Sequence, residues 1–249
     1  IRTHLFRVLA RRDTLVYISE AVKRAHEYPA HAGRAYTIYH GIEDPYSMRA
    51  SSPYSREYRS QLGIELDAFV IGYTAEFIPL KDHGTLLQAF NLLAQTRHNL
   101  SLVLIGTGQK FESISDRASA SPAAGRIHLL GPRLDARRLL GVLDAYVHPA
   151  RGEGFGLAIA EAMAAGLPVV VAGEGAPPEI VSHEYTGLIF TPGDPRDLAR
   201  QIDRLIEDDR LRGSLGRRAR DFCLKRLSPD RFAEELTRVL ESEIRPHRA

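Results

Sequence analysis

Between Phe69 and Phe190 the sequence alternates short β-branched or leucine-rich runs with segments whose apolar residues recur every three or four positions. That alternation restricts the chain to an α/β architecture, a parallel sheet covered by helices on both faces. The expected strands are FVIGYTA (69–75), LSLVLIG (100–106), RIHLLG (126–131), AYVHPA (145–150), LPVVVAG (167–173) and GLIF (187–190). Several are apolar almost throughout, as a strand buried on both faces requires. HGTLLQAFNLLAQ (83–95), DARRLLGVLDA (135–145) and GLAIAEAMAAG (156–166) carry the helical period and read as crossover helices. The last stops at Gly166 ahead of Pro168, a standard helix exit. After Asp194 come charged amphipathic segments (195–209, 209–227 and 228–244), the last with Ser228 as N-cap and Pro229 as first helical residue. The sheet is complete before them.

The stretch ahead of Phe69 lies outside this succession. DTLVYIS (13–19) and YTIY (36–39) read as two isolated strands with a short helix between, too little for a domain of their own. Residues 1–42 are expected to be the terminal elements of a preceding α/β domain, 43–66 a linker that is polar, aperiodic and contains Pro45 and Pro53, and 67–227 the main domain. A C-terminal helix, 228–249, is expected to pack back on the preceding domain. The basic start IRTHLFRVLARR has no apolar core or cleavage site of a signal peptide and no initiator methionine, so the chain reads as a piece of a longer polypeptide.

Charge narrows the function. Lys and Arg total 33 against 31 Asp and Glu, a net charge of +2, which gives no extended surface for nucleic acid or anionic lipid. Any anion is expected to be small and bound locally. The lone cysteine, Cys223, excludes a disulfide framework and suits the cytoplasm. It sits in a helical pattern with apolar neighbours and reads as core. The most apolar stretch, 157–172, is broken by Glu161, Gly166 and Pro168, short of the ~20 residues of a spanning helix.

The segment EGFGLAIAEAMAAGLPVVV (153–171) is the most informative. Glycines at 154 and 156 lead directly into a helix, a junction that turns unpaired N–H groups and the positive end of the helix dipole toward one point and favours a phosphate. Glu153 precedes the loop and Glu161 lies eight residues later, on the helix. Carboxylates repel a phosphate, so they would serve hydroxyl groups as strong charge-assisted acceptors. Hydroxyls beside phosphates match a nucleotide sugar. The alternative left open by spacing is that Glu153 caps the helix and Glu161 faces solvent.

HPARGEGFGLAIAEAMAAGLPVV resembles the signature of the retaining glycosyltransferases of family GT4, whose GT-B fold pairs two facing Rossmann-like domains. In that family a strand ends in Pro-Ser, followed by Glu-Gly-Phe-Gly, a second Glu and Ala-Met-Ala-x-Gly-x-Pro-Val; Ala150 stands here for the Ser. YISEAVK, YHGIE, LVLIGTG, IHLLG, APPEIV and TGLIFTPGD extend the resemblance over nearly the whole chain. It implies the C-terminal, donor-binding half of a GT-B enzyme with a Rossmann-like sheet, preceded by a fragment of the N-terminal half. The implied reaction transfers a sugar from a nucleoside diphosphate sugar to a hydroxyl acceptor with retention. Glu153 would contact the donor sugar, Glu161 the ribose, the backbone of Gly154, Phe155, Gly156 and Leu157 the distal phosphate, and Leu129 and Leu130 the base. Gly106 would belong to the donor loop. No metal or other cofactor is implied. The missing N-terminal domain would read the acceptor and provide any contact with the inner face of a membrane, and the isolated chain would be inactive without it.

One departure stands out. The family grips the diphosphate with an Arg and a Lys after the first strand of this domain; Lys81 matches the lysine, but Glu76 takes the arginine's place. A carboxylate there is repulsive, so either another cation compensates, with Arg133 and Arg151 as candidates, or donor binding is weakened. Glu76 is the feature that favours a non-catalytic nucleotide-sugar-binding module over an enzyme; another GT-B activity, an epimerase or a phosphorylase, is the rival among enzymes. Gly106-Thr107-Gly108 lacks the third glycine of a dinucleotide fingerprint and reads as a tight strand-to-helix turn. His148, at a strand end near the signature, is either a ligand contact or an ordinary hydrogen-bonded histidine. The histidines show no zinc spacing.

Overall fold

The structure, a computed structural model, describes residues 14–26, 34–44 and 54–244. Residue 13 of the first expected strand, and Pro45 and Pro53, lie outside them. The chain opens with β1 (Leu15–Tyr17), α1 (Glu20–Ala25) and β2 (Ala35–Thr37), in which β1 and β2 pair in parallel. Next comes α2 (Tyr54–Gln61), followed by β3 (Phe69–Thr74), α3 (His83–Ala94), β4 (Leu100–Ile105), α4 (Phe111–Ser119) and β5 (Ile127–Leu129). The second half runs α5 (Ala136–Leu139), β6 (Ala145–His148), α6 (Leu157–Ala164), β7 (Val169–Ala172), α7 (Pro177–Ile180) and β8 (Leu188–Phe190). It closes with α8 (Pro195–Glu207), α9 (Asp209–Arg226) and α10 (Pro229–Ile244).

The main sheet has six parallel strands in the order β5-β4-β3-β6-β7-β8. The first strand of the domain, β3, is central; β4 and β5 build outward on one side, and the chain then crosses back to build β6, β7 and β8 on the other. This is the doubly wound Rossmann-like order, which opens a crevice at the carboxyl ends of the two strands where the direction of winding reverses. Here those strands are β3 and β6, which pair through Ile71 opposite Ala145. The strands read from apolar runs form the core: Val70, Ile71, Leu102, Leu104, Tyr146, Val169 and Val170 are all completely buried.

Two sequence expectations need correction. The segment 43–66, read as a linker, contains α2, and that helix packs against the 3-10 turn before β6 and the chain entering β3. Its Arg59, only 9% exposed, donates to the carbonyls of Val142 (2.7 Å), Ala68 (3.0 Å) and Leu66 (3.2 Å) and to Asp144 Oδ2 (2.9 Å). Asp144 in turn accepts from the Val70 amide at 2.8 Å. One guanidinium thus ties α2 to the chain entering β3 and β6, and a polar helix with a buried cation leaves no apolar period to read. Second, DARRLLGVLDA is one turn of α-helix, α5, continued by a 3-10 turn over Leu140–Val142.

The terminal helices frame the sheet. Gly216 of α9 lies so close to α6 that a Cβ there would stand 2.3 Å from the Gly166 carbonyl oxygen, which fixes how nearly the two helices pack. Cys223 is 2% exposed, its Sγ donates to the Ala160 carbonyl at 3.5 Å, and burial pushes the thiol up to about 12. It is core, as its spacing implied. Ser228 Oγ accepts from the Arg231 amide at 3.3 Å, so it caps α10. That helix returns to the first elements of the chain: Arg231 donates to the Tyr39 carbonyl at 2.9 Å, Ile42 donates to the Leu227 carbonyl at 2.7 Å, and Arg34 meets Glu243 at 3.3 Å.

Removing a buried cation leaves its carboxylate and carbonyl partners unpaired, the costly way to break such a network. Arg59→Ala should therefore destabilise the fold by about 3 kcal/mol in urea unfolding, with the transition slope unchanged. A loss below about 1 kcal/mol, normal for a surface change, would show that α2 is a loosely attached linker after all.

Candidate functional site

The crevice at the ends of β3 and β6 is built by two loops. After β3 the chain crosses the first glycine turn of β4, where a Cβ on Gly106 would stand 2.0 Å from the Ala75 carbonyl oxygen. It then makes a 3-10 turn over Pro79–Lys81. Asp82 takes a left-handed conformation (φ 43°) and its carboxylate accepts from the Thr85 amide, capping α3. The Tyr73 hydroxyl donates to the Lys81 carbonyl at 3.0 Å and anchors the turn to the sheet. After β6, the Arg151 amide donates to the Leu80 carbonyl at 2.8 Å, joining the two loops.

Gly156, at φ 94°, is the N-cap of α6 and has no side chain to cap it. The first bond of the helix is the Ala160 amide to the Gly156 carbonyl, at 3.0 Å. The amides of Leu157, Ala158 and Ile159 therefore have no partner within the helix. Gly154 is held from below: its carbonyl accepts from Ser19 Oγ at 2.6 Å, and a Cβ there would lie 3.3 Å from Val22. Phe155 is 3% exposed and packs edge-on to His40, ring centroids 5.1 Å apart.

Between these loops lies a cleft of about 300 Å³ lined by Thr74, Glu76, Lys81, His148, Glu153 and residues 154–158, together with Ile18 and His40. Lys81 Nζ meets Glu153 Oε2 at 2.5 Å, His148 Nε2 meets the same oxygen at 3.1 Å, and the Gly154 amide donates to Oε1 at 3.2 Å. The hydrogen bond from His148, with help from Lys81 and against burial, holds the Glu153 carboxyl down to about 2. Burial holds His148 below the usual histidine range, and its Nε2 faces a carboxylate oxygen that, when ionised, can only accept.

Glu161 faces a small recess beside this cleft, which it shares with Thr74, Tyr146 and Ala158. Both Nε and Nη2 of Arg137 lie 2.8 Å from its Oε1, and Arg137 Nη1 is 3.4 Å from Glu43. Glu161 is thus half-buried in this recess and paired with Arg137, at 23% side-chain exposure. No motif marked Arg137, which lies in the segment read as a plain crossover helix.

The structure brings together Lys81, Glu76, Glu153, Gly154, Phe155, Gly156 and Leu157, with Glu161 adjoining. Leu129 and Leu130 lie farther along the same sheet edge, where the Leu130 amide donates to the Leu104 carbonyl at 2.9 Å, and Gly106 is tied to Gly131 at 2.9 Å. Arg133 forks onto Asp135 with two bonds of 2.8 Å, and Arg151 pairs with Glu174 at 3.4 Å. The cations considered as compensation for Glu76 are thus engaged by carboxylates of their own. Glu76 is exposed. Glu179 was not singled out from the sequence, yet its carboxylate accepts from the amides of Glu20 (2.9 Å) and Ala21 (2.6 Å) and from the Tyr39 hydroxyl (3.0 Å). It pins α1 and β2 beside the cleft.

Beneath Lys81, His83 is 2% exposed, stacks on Phe77 with centroids 3.9 Å apart, and has no hydrogen-bond partner for either ring nitrogen. Burial lowers its pKa to about 4. A histidine depressed in this way costs the fold nothing above its unfolded value of about 6.5 and destabilises it progressively as pH falls from there to about 4. His83→Phe should flatten the decline in melting temperature between pH 6.5 and 4 without lowering it at pH 7, in a thermal unfolding series; an unchanged slope contradicts the assignment. Among the described residues, no group of three or more His, Cys, Asp or Glu is placed to hold a metal ion.

Comparison with known proteins agrees with this geometry. Residues 55–222 match the family model described as glycosyl transferases group 1. An N-acetyl-alpha-D-glucosaminyl L-malate synthase of Bacillus anthracis is 25% identical over 94% of this chain and 60% of its own length. A GDP-mannose-dependent monoacylated alpha-(1-6)-phosphatidylinositol monomannoside mannosyltransferase of Corynebacterium glutamicum is 28% identical over 94% of this chain and 63% of its own length. The chain therefore spans a little under two thirds of these relatives. Among solved structures, Anabaena Alr3699/HepE in complex with UDP-glucose superposes with a TM-score of 0.85 at 27% identity, covering 96% of this chain and 67% of that one.

Proposed function

We propose, from the premise that this chain belongs to the glycosyl transferases group 1 family, that it is the donor-binding part of a retaining glycosyltransferase of GT4 type. It would take a sugar from a nucleoside diphosphate sugar and pass it to a hydroxyl acceptor. The observation that carries this reading is the start of α6, which no side chain caps and which borders the same cleft as Lys81 and Glu153 at the switch point of the sheet. Relatives whose names specify a GDP-mannose-dependent mannosyltransferase and a structure holding UDP-glucose support the ligand class.

Each group then has a physical task. The amides of Leu157, Ala158 and Ile159, with the dipole behind them, would receive the distal phosphate. Lys81 has three ammonium donors, enough to keep Glu153 while reaching a phosphate oxygen, and would offset the charge that grows on the departing diphosphate. Glu153 would orient the sugar through its hydroxyls and Glu161 the ribose. No side chain needs to serve as nucleophile in this reading, and no metal is invoked; catalysis rests on positioning and on leaving-group stabilisation. The acceptor would be met by an N-terminal domain of which β1, α1 and β2 are the last elements. Among the described residues, no helix is long and apolar enough to cross a membrane.

A non-catalytic nucleotide-sugar-binding module is the second reading, because the exposed carboxylate of Glu76 borders the cleft where a cation would help a diphosphate. Consumption of donor sugar by the full polypeptide separates the two.

Calorimetry with UDP, GDP and ADP tests the binding assignment. Glu161→Ala should weaken the preferred nucleoside diphosphate by about 1.5–3 kcal/mol, the worth of hydrogen bonds to a charged group; unchanged affinity in a folded variant refutes the ribose role. Glu153→Gln keeps the shape and removes the charge, so the nucleotide sugar should lose affinity while the free nucleoside diphosphate binds nearly as before. Equal losses for both ligands would contradict a sugar-facing Glu153.

A further inference from the structure

The two oxygens of Glu153 are not equivalent. Oε2 receives Lys81 Nζ at 2.5 Å and His148 Nε2 at 3.1 Å, while Oε1 receives only the Gly154 amide, at 3.2 Å. A carboxylate oxygen has two lone-pair directions, so Oε2 is filled by the protein and Oε1 keeps one direction free. We propose that His148 is the positioning residue that turns Oε2 inward and so presents Oε1 of Glu153 to the donor sugar. This rests on the donor-binding reading above.

His148 is placed to do this and Lys81 alone is not. His148 ends β6 in register with Val171 of β7, its side chain is 3% exposed, and its ring stands edge-on to Tyr73 with centroids 5.2 Å apart. Lys81 sits on a four-carbon stem in a turn, 24% exposed, and in the proposed complex it must also serve a phosphate. When the phosphate draws on the ammonium, the imidazole still holds the carboxylate. The groups facing His148 are Lys81, His83, Tyr73, Tyr146 and Glu153. Glu153 is the anion among them, so the ring has one place to donate.

The chemistry of the ring supports a specific task. Glu153 is ionised and accepts only, so the proton of the neutral imidazole sits on Nε2. Nδ1 is then left buried with no partner. The unpaired nitrogen is what the chain accepts in order to place a rigid donor under Glu153.

The test has a readout that needs no ligand and one that does. Nitrogen-15 NMR of histidine-labelled protein at pH 7 should show His148 as the Nε2–H tautomer; the Nδ1–H tautomer or an imidazolium overturns the proposal. The Glu153 carboxyl carbon should titrate far below the usual glutamate range in the wild type, move up in His148→Phe, and return in His148→Gln, whose amide nitrogen can reach the place of Nε2. No movement in the Phe variant also overturns it. For binding, UDP and UDP-glucose are compared, with GDP and GDP-mannose as the second pair. His148→Phe should bind the free nucleoside diphosphate within roughly threefold of wild type and the nucleotide sugar about tenfold or more weaker, with His148→Gln restoring most of the difference. Equal loss for both ligands, or no rescue by Gln, marks a merely structural histidine. A wild-type chain that binds none of the four overturns the donor reading, while the tautomer and the titration still decide what His148 does to Glu153.

Discussion

The ion pair between Lys81 and Glu153 joins the loops that follow the two central strands and spans the crevice between them. A parallel, doubly wound sheet always leaves a gap where its winding reverses, with helix N-termini pointing into it. What this chain adds is a bridge across the gap. Lys81 is fixed from below by the Tyr73 hydroxyl on its carbonyl and by the cap of Asp82 on α3. Glu153 is fixed by His148 and by the backbone contact of the Ala176 amide to its carbonyl, at 2.9 Å. Each partner is anchored in a separate βα unit, so neither loop can move without loosening the other.

That arrangement resolves the difficulty of placing two carboxylates beside a phosphate site. Glu153 is paired with Lys81 and Glu161 with Arg137, so neither carboxylate faces the α6 amides as an unpaired negative charge. The carboxylates are thereby free to act as hydroxyl acceptors. Glu76 is the exception. It stands exposed at the rim, and the arginines nearest in sequence logic are held elsewhere, Arg133 by Asp135 and Arg151 by Glu174.

The sheet was legible in the sequence because strands buried on both faces must be apolar, and each of the six runs from Phe69 to Phe190 supplies a strand. Their ends were less so: 145–150 was read as one strand, but β6 stops at His148, where Pro149 can no longer donate to the ladder. Helix α2 was hidden because Arg59 holds it by hydrogen bonds and not by an apolar stripe; the family match begins at residue 55, within that helix. The signature loop singled out Glu153, Glu161 and the glycines, and the structure places them at the cleft and its adjoining recess. Arg137 and Glu179 were missed for one reason: each acts across a long stretch of chain, on Glu161 and on the α1 backbone, and periodicity records only local order.

The claim on which the whole account turns is that the start of α6 receives a phosphate. Backbone amide chemical shifts of nitrogen-15-labelled protein, followed while UDP, GDP or ADP is added, report on that point alone. The account predicts that, for whichever nucleotide binds, the largest shifts fall on Gly156, Leu157, Ala158 and Ile159, with smaller ones near Lys81 and Glu161. Saturable binding whose shifts cluster on another face of the sheet, leaving 156–159 unmoved, would contradict it.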